Sequence, residues 1–220
     1  KMPDSHWFIE SIERGAKVVT ITPEYSPPAT KSDYWIPVRP ATDAALFLGI
    51  TKILIDRKWY DETFVKQFTD LPLLIRTDNL KRLRASELFP DYRPGLKEDG
   101  SSFKDQNLTK EQYERLGDFV VRDESGEFRA ITRDQVGGLM AESGLKPVLD
   151  WKGTISLTDG KKIEAMTLWH AYQIHLKDYD LDTVAAITEA PRGLIEQLAK
   201  DIAAIKPVAV HIGEGINHWF

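Results

Sequence analysis

A six-residue run, Lys17-Val-Val-Thr-Ile-Thr22, limits the fold class more than any other segment of this chain. The run is rich in β-branched residues and apolar on both faces, which is typical of a strand in a parallel sheet that helices cover. A helix predicted from Asp4 to Arg14 precedes it, and Gly15 stands where glycine commonly ends a helix. The sequence therefore predicts an α/β fold.

Two further features support this prediction. The segment from Glu24 to Pro40 contains too many prolines for a helix, although residues 34–38 favour a second short strand. A long loop beside a strand end is where α/β proteins commonly bind ligands. Further helices are predicted over residues 42–57, 61–68, 165–176, 181–187 and 191–205, and further strands over residues 119–121, 127–131 and 208–212.

The regular pattern weakens between residues 76 and 164, where charged residues, Gly and Pro are scattered. We expect an irregular insertion here, which is organised by short hairpins or packs on a neighbouring surface. The predicted segments are residues 1–75, 76–164 and 165–220, the last a helical return and the start of a second α/β segment. Because the chain lacks an initiator Met and stops where a helix should follow the last strand, we expect an internal piece of a larger multidomain subunit.

Composition excludes several classes of function. The 220 residues include no cysteine, so this stretch supplies no thiolate ligand to a metal or an iron–sulfur cluster. A net charge of −5 argues against a nucleic-acid partner, which would require a concentrated basic surface. No apolar run approaches the roughly 18 residues of a membrane-spanning helix.

Three constellations could bind a ligand. At the end of the first strand, Glu24 or Tyr25 could hydrogen-bond a ribose or a base, and a solvated surface turn is the alternative. In the second, the Asp43 carboxylate could accept both the ring N–H and the exocyclic amine of guanine, beside a helix N-terminus that favours phosphate. The alternative is that Asp43 only complements the helix macrodipole.

The third constellation is Gly213-Glu-Gly-Ile-Asn-His-Trp219, which follows the last predicted strand. Its glycines would let the backbone approach a phosphate or a ring closely, although a plain tight turn explains them equally. His170 and His175 are five residues apart and so do not share a helix face, which makes them poor metal ligands. We predict no catalytic residue and no metal ligand in this segment.

Taken in order, several motifs resemble the nitrate reductase class of molybdopterin oxidoreductases, within the DMSO reductase family. The similarity covers both ends of the chain, about residues 1–90 and 160–220, and residues 76–84 look more like nitrite oxidoreductase alpha subunits. One departure is Ala41, where the family commonly has Gly before Thr-Asp. The motifs are Pro3–Phe8, Gly15–Tyr25, Asp33–Trp35, Thr42–Leu46, Gln67–Leu74 and Gly213–Trp219.

The resemblance implies a parallel-sheet nucleotide-binding domain, with residues 1–75 as a guanine-dinucleotide-binding segment. It implies molybdenum held by bis-molybdopterin guanine dinucleotide, and a [4Fe-4S] cluster in the full subunit that this chain does not ligate. The cofactor would be bound in one nucleotide pocket and by a second group near the pterin or phosphates. The pocket residues are Thr22, Pro23, Glu24, Thr42 and Asp43, and the second group is Gly213, Glu214, Gly215, Asn217 and His218.

The implied reaction interconverts nitrite and nitrate by oxygen-atom transfer coupled to two electrons. The nitrite oxidoreductase type of enzyme is favoured, and the direction of the reaction stays open. An iron–sulfur beta subunit is the implied partner, a haem gamma subunit stays open, and a periplasmic membrane-associated complex is favoured over a cytoplasmic one. Related enzymes that act on selenate, chlorate, perchlorate or hydrocarbons are alternatives. An NAD-dependent dehydrogenase domain and a non-catalytic binding module are the alternatives from other classes.

Overall fold

The computed structural model describes residues 5–92, 118–131 and 144–213. Its mixture of helices and strands agrees with the predicted α/β class. The helices are α1 Ser5–Glu13, α2 Asp43–Asp56, α3 Glu62–Phe68, α4 Ala85–Leu88, α5 Leu168–His175, α6 Leu181–Thr188 and α7 Arg192–Ala204. The strands are β1 Val19–Ile21, β2 Tyr34–Ile36, β3 Leu74–Arg76, β4 Phe119–Arg122, β5 Phe128–Ile131, β6 Lys152–Ser156 and β7 Lys162–Thr167.

The chain divides into two compact units. The first unit combines residues 1–60 with residues 176–220, and the second unit is residues 61–175. The boundaries predicted at residues 75 and 164 both fall inside the second unit. The first unit is therefore built from two segments that are far apart in the sequence.

The first unit is built around a parallel pair of strands, β1 and β2, with Val19 opposite Tyr34 and Ile21 opposite Ile36. Helices α2, α6 and α7 pack together beside this pair. Helices α2 and α6 approach closely at Gly49, where an added Cβ would lie 2.6 Å from a methyl of Val184. The buried core of the unit is Ile36, Val38, Leu46, Ile50, Val184, Ala190, Ile195, Leu198 and Ala199.

The second unit contains antiparallel strands. β3, β7 and β6 form a three-stranded sheet in that order, and β4 pairs with β5 in a hairpin. Asp61 caps α3 as predicted, because its carboxylate accepts the amide N–H of Phe64 at 2.9 Å. Short hairpins thus organise the described part of residues 76–164.

Two predicted elements are wrong. Residues 165–167 belong to β7 and not to a helix, because Ala165 pairs with Gly153 of β6 on one side and with Arg76 of β3 on the other. The helix begins only at Leu168.

The second error is the buried strand predicted at residues 208–212. These residues are exposed, with Val210 61% and Ile212 59% accessible, and no strand is assigned to them. Within the described part of the chain, no neighbouring strand pairs with their backbone groups. An apolar segment can form a strand only where such a partner exists.

Candidate functional site

The candidate site lies where the carboxyl ends of β1 and β2 meet in the first unit. The amide of Thr22 donates to the carbonyl of Ile36 at 3.2 Å, so the parallel pairing continues one step past β1. Pro23 and Glu24 then leave the sheet and are exposed. Loops at the carboxyl edge of parallel strands are the usual ligand-binding positions in α/β folds.

The loop after β2 leads directly into α2 at the same edge. Both the amide and the hydroxyl of Thr42 donate to the carbonyl of Arg39, at 3.3 and 2.6 Å, and Thr42 is only 8% exposed. Ala41 has a φ of +68°, in the region that favours glycine. Thr42 is thus buried in the turn and does not cap the helix with its side chain.

The N-terminus of α2 is consequently open. Within α2, the amide of Leu46 is the first that has a backbone acceptor in the described chain, and it donates to the carbonyl of Thr42. Amides 43–45 find no such acceptor among the residues described, and Asp43, half-exposed, lies in this first turn. Helix α2 has 14 residues, and its uncapped N-terminus presents both N–H donors and positive potential to an anion.

Arg39 adds a positive charge beside this terminus. Its backbone amide donates to the carbonyl of Thr188 at 2.8 Å, which ties the loop to the end of α6. Its guanidinium is 51% exposed and lies 3.8 Å from Glu189, at the limit of an ion pair. A weakly paired, exposed arginine can exchange this partner for a phosphate at small cost.

Two aromatic residues border the same edge. The indole N–H of Trp35 donates to the carbonyl of Thr22 at 2.9 Å. The ring of Tyr25 contacts Trp35 edge-on, with centroids 5.3 Å apart and planes at 71°. Sequence reasoning placed Tyr25 near a ligand but missed its contact with Trp35. Alternation along β2 separates Trp35 from Tyr34 and Ile36 but does not indicate its partner.

A polar cluster ties the strands to α7. Asp201 accepts from the Lys17 ammonium at 2.7 Å, from the Tyr34 hydroxyl at 2.8 Å and from the Gln197 amide at 2.9 Å. Burial works to raise the pKa of Asp201, but these hydrogen bonds outweigh it and hold the pKa below its ordinary value. Burial, and then the bond to Asp201, raises the pKa of Tyr34. These satisfied groups stabilise the unit and leave no site for a ligand.

A shallow cavity of about 260 Å³ lies at the other end of α2, beside Arg57, Trp59 and Lys200. Since α2 has 14 residues, it places this cavity about 20 Å from the helix N-terminus. The cavity is therefore separate from the candidate site.

The third constellation is described only at its first residue. Gly213 is exposed, and an added Cβ there would meet nothing within 4 Å. Glu214, Gly215, Asn217 and His218 lie outside the described residues, so their assignment to the cofactor stays a prediction.

Metal-binding clusters of His, Cys, Asp or Glu are not found in residues 5–92, 118–131 and 144–213. His170 instead forms a hydrogen bond from Nδ1 to Asp150 at 2.7 Å, and Gln173 donates to the second oxygen of the same carboxylate. The helices in these ranges are all too short or too polar to cross a bilayer.

Comparisons with known proteins identify the family of this chain. The family model described as molybdopterin oxidoreductase matches residues 4–220. The whole chain is 27% identical to the respiratory nitrate reductase subunit alpha of Haloferax mediterranei and 30% identical to the perchlorate reductase subunit alpha of Dechloromonas aromatica. It spans 21% and 24% of the lengths of these relatives. The acetylene hydratase structure from Pelobacter acetylenicus superposes on 96% of the chain with 16% identity and a TM-score of 0.48.

Proposed function

Because this chain belongs to the molybdopterin oxidoreductase family, we propose that it holds the guanine-nucleotide end of a molybdopterin guanine dinucleotide cofactor. The nucleotide site is the carboxyl edge of β1 and β2. The observation that carries this proposal is the open N-terminus of α2, which has Asp43 in its first turn and Arg39 beside it. The donors and charges of this edge fit a nucleotide that carries phosphates.

Each residue has a separate role at this edge. The Asp43 carboxylate accepts two N–H groups of guanine, which adenine cannot supply in the same arrangement. Amides 43–45 and Arg39 bind phosphate oxygens. Thr22, Pro23 and Glu24 form the opposite wall, and the bond from Trp35 to Thr22 fixes where that wall begins.

We further propose that the longer polypeptide interconverts nitrite and nitrate, as an enzyme of the nitrite oxidoreductase type. The bound molybdenum cofactor supplies oxygen-atom transfer coupled to two electrons: nitrite and water give nitrate, two protons and two electrons. The electrons pass to an iron–sulfur partner subunit. Similarity to a nitrate reductase alpha subunit along the whole chain supports this proposal.

Perchlorate reduction is the second candidate, since the chain is 30% identical over its whole length to a perchlorate reductase subunit. The two candidates separate in one assay of the purified longer polypeptide with its partners. Nitrite is offered with an artificial electron acceptor, and nitrate, chlorate and perchlorate are offered with a reduced dye. We expect turnover with nitrite and nitrate, and turnover with perchlorate but not nitrite would overturn the first candidate.

The role of Asp43 is tested by Asp43→Asn in the same polypeptide. Loss of a charged acceptor should weaken nucleotide retention on the order of tenfold, measured as guanine released after acid treatment. Asp182→Asn is the matched control, because Asp182 also lies in the first turn of a helix, α6. Unchanged guanine content with a lower melting temperature would show that Asp43 serves only the helix macrodipole.

A further inference from the structure

The two faces of the β1–β2 pair are occupied differently. Side chains alternate along a strand, so Tyr34 and Ile36 share one face and Trp35 lies on the other. On the first face Tyr34 donates to Asp201 of α7, and Ile36 is fully buried in the core. Trp35 thus projects away from the helices that form this core, and it remains half-buried.

Trp35 is fixed against the carboxyl edge of the sheet. Its indole N–H donates to the carbonyl of Thr22 at 2.9 Å, and its position on β2 is opposite Thr20 of β1. The Trp35 side chain is held by its backbone in β2 and by its indole N–H, so the ring has little freedom to reorient. It therefore provides a rigid surface for a neighbouring ring.

Tyr25 rests on this surface and remains 63% exposed. Because the two ring planes are inclined at 71°, Tyr25 contacts Trp35 by an edge-to-face arrangement and not by stacking. Its aromatic area is therefore held in a defined position but is left largely uncovered. Tyr25 follows Thr22 by three residues at the edge where the nucleotide is proposed to bind.

We propose that Tyr25, which contacts Trp35 edge-on, stacks on the purine base of the bound nucleotide. The proposal rests on the proposed nucleotide site at the same edge. Every base offers a π-face, so stacking adds affinity without distinguishing guanine from adenine. Tyr25 would thus add to nucleotide retention alone, whereas Asp43 would add both retention and selectivity for guanine.

The test uses the longer polypeptide purified with its cofactor. Bound guanine nucleotide is followed during timed incubation after dilution, by acid release and chromatography, together with the molybdenum content. Tyr25→Ala should lose the nucleotide about tenfold faster than the unchanged protein, since it removes one base–aromatic contact. Tyr25→Phe keeps the ring and should stay within about twofold.

Trp7→Ala is the matched control. Trp7 is 65% exposed, contacts the His6 ring edge-on at 5.3 Å, and lies on α1 before β1. Its removal should leave nucleotide release unchanged. Tyr25→Leu covers the case in which the alanine variant folds poorly, because it keeps apolar bulk but loses the planar face, and it should also release the nucleotide faster.

Two results would overturn the proposal: equal release from Tyr25→Ala or Tyr25→Leu and the unchanged protein, or release from Tyr25→Phe as fast as from Tyr25→Ala. The second result would assign the effect to the hydroxyl group and not to the ring. If the unchanged protein contains no guanine nucleotide, the proposed function itself fails. The failure of stacking alone and the failure of the site are therefore distinguishable.

Discussion

At Ala41 the backbone adopts a conformation that its side chain opposes. The φ of +68° brings Cβ close to the backbone, and this costs a non-glycine residue on the order of 1–2 kcal/mol. The turn nevertheless forms, because Arg39 and Thr42 hold it on both sides through hydrogen bonds. The positive φ gives a physical reason why the family commonly has Gly at this position, where this chain has Ala41.

Ala41→Gly should therefore stabilise the protein by about 0.5–1 kcal/mol, because glycine removes the strain at a small entropic cost. The measurement is the midpoint of denaturant unfolding. Ala186→Gly is the control, since Ala186 is exposed in the interior of α6 and glycine there should destabilise by a similar amount. A loss of stability in Ala41→Gly would contradict the assigned strain.

Asp201 predicts a dependence of stability on pH. Because its pKa is lower in the folded protein than the ordinary 3.8, its stabilisation is present above pH 3.8 and is lost as the pH falls through the folded value. Asp201→Asn should cost about 1–3 kcal/mol at pH 7, and this difference should shrink below pH 3.8. The measurement is the free energy of unfolding at pH 7 and pH 3.

Asp56→Asn is the control for this prediction. Asp56 forms an exposed pair with Lys52 one helical turn away, so its replacement should change stability by less than about 0.5 kcal/mol at either pH. A difference between Asp201→Asn and the unchanged protein that does not vary with pH would contradict the assigned cause.

Among the elements, α2 depends on a single glycine. Alanine forms helices better than glycine by about 1 kcal/mol, so an isolated helix would gain from Gly49→Ala. In the folded unit the new Cβ would lie 2.6 Å from Val184, whose branched side chain is fully buried and stiff at χ1. The crossing of α2 and α6 therefore requires the absence of a side chain at this position.

We expect Gly49→Ala to destabilise the protein by about 1–3 kcal/mol, as over-packing of a core commonly does. Gly193→Ala in α7 is the control, because an added Cβ there meets nothing within 4 Å and the helix propensity should raise stability. Thermal unfolding followed by circular dichroism measures both. Equal gains in the two variants would mean that α2 and α6 separate easily.

Local signals were sufficient to predict β1, β2, α2 and α3 from the sequence. β-branched residues, prolines and the Asp61 cap act within a few positions of the chain. The sequence could not place β7 correctly, because Ala165 and Met166 suit a helix and only pairing with distant strands makes them extended. Strand pairing is non-local, so tertiary context overrides propensity there.

The same distinction applies to the candidate site. Thr22 and Asp43 could be placed at a strand end and at a helix start from the sequence, because such signals are local, and their role in binding a ligand stays a prediction. The contact of Tyr34 with Asp201 spans 167 positions, and no local pattern indicates it. Likewise, no local pattern indicates that the segment ending at residue 60 and the segment beginning at residue 176 belong to one unit.

For the whole molecule, we expect residues that share a buried core to unfold together, even where they are far apart in the sequence. Helix α2 packs against α6 and α7, which return after the second unit has been completed. The second unit has its own buried clusters, around Leu83 and Val120 and around Leu73 and Ile131. Cooperative unfolding units usually coincide with such cores.

Leu46→Ala should accordingly reduce stability by about 2–5 kcal/mol, because Leu46 is fully buried in the core of the first unit. Hydrogen exchange measured by mass spectrometry should then show faster exchange in residues 43–56 and 181–204 together, with smaller changes in residues 62–76. Leu83→Ala, at an equally buried position of the second unit, should give the reverse pattern. Faster exchange that spreads from residue 46 to its neighbours in sequence, and spares residues 181–204, would contradict a core shared by the two segments.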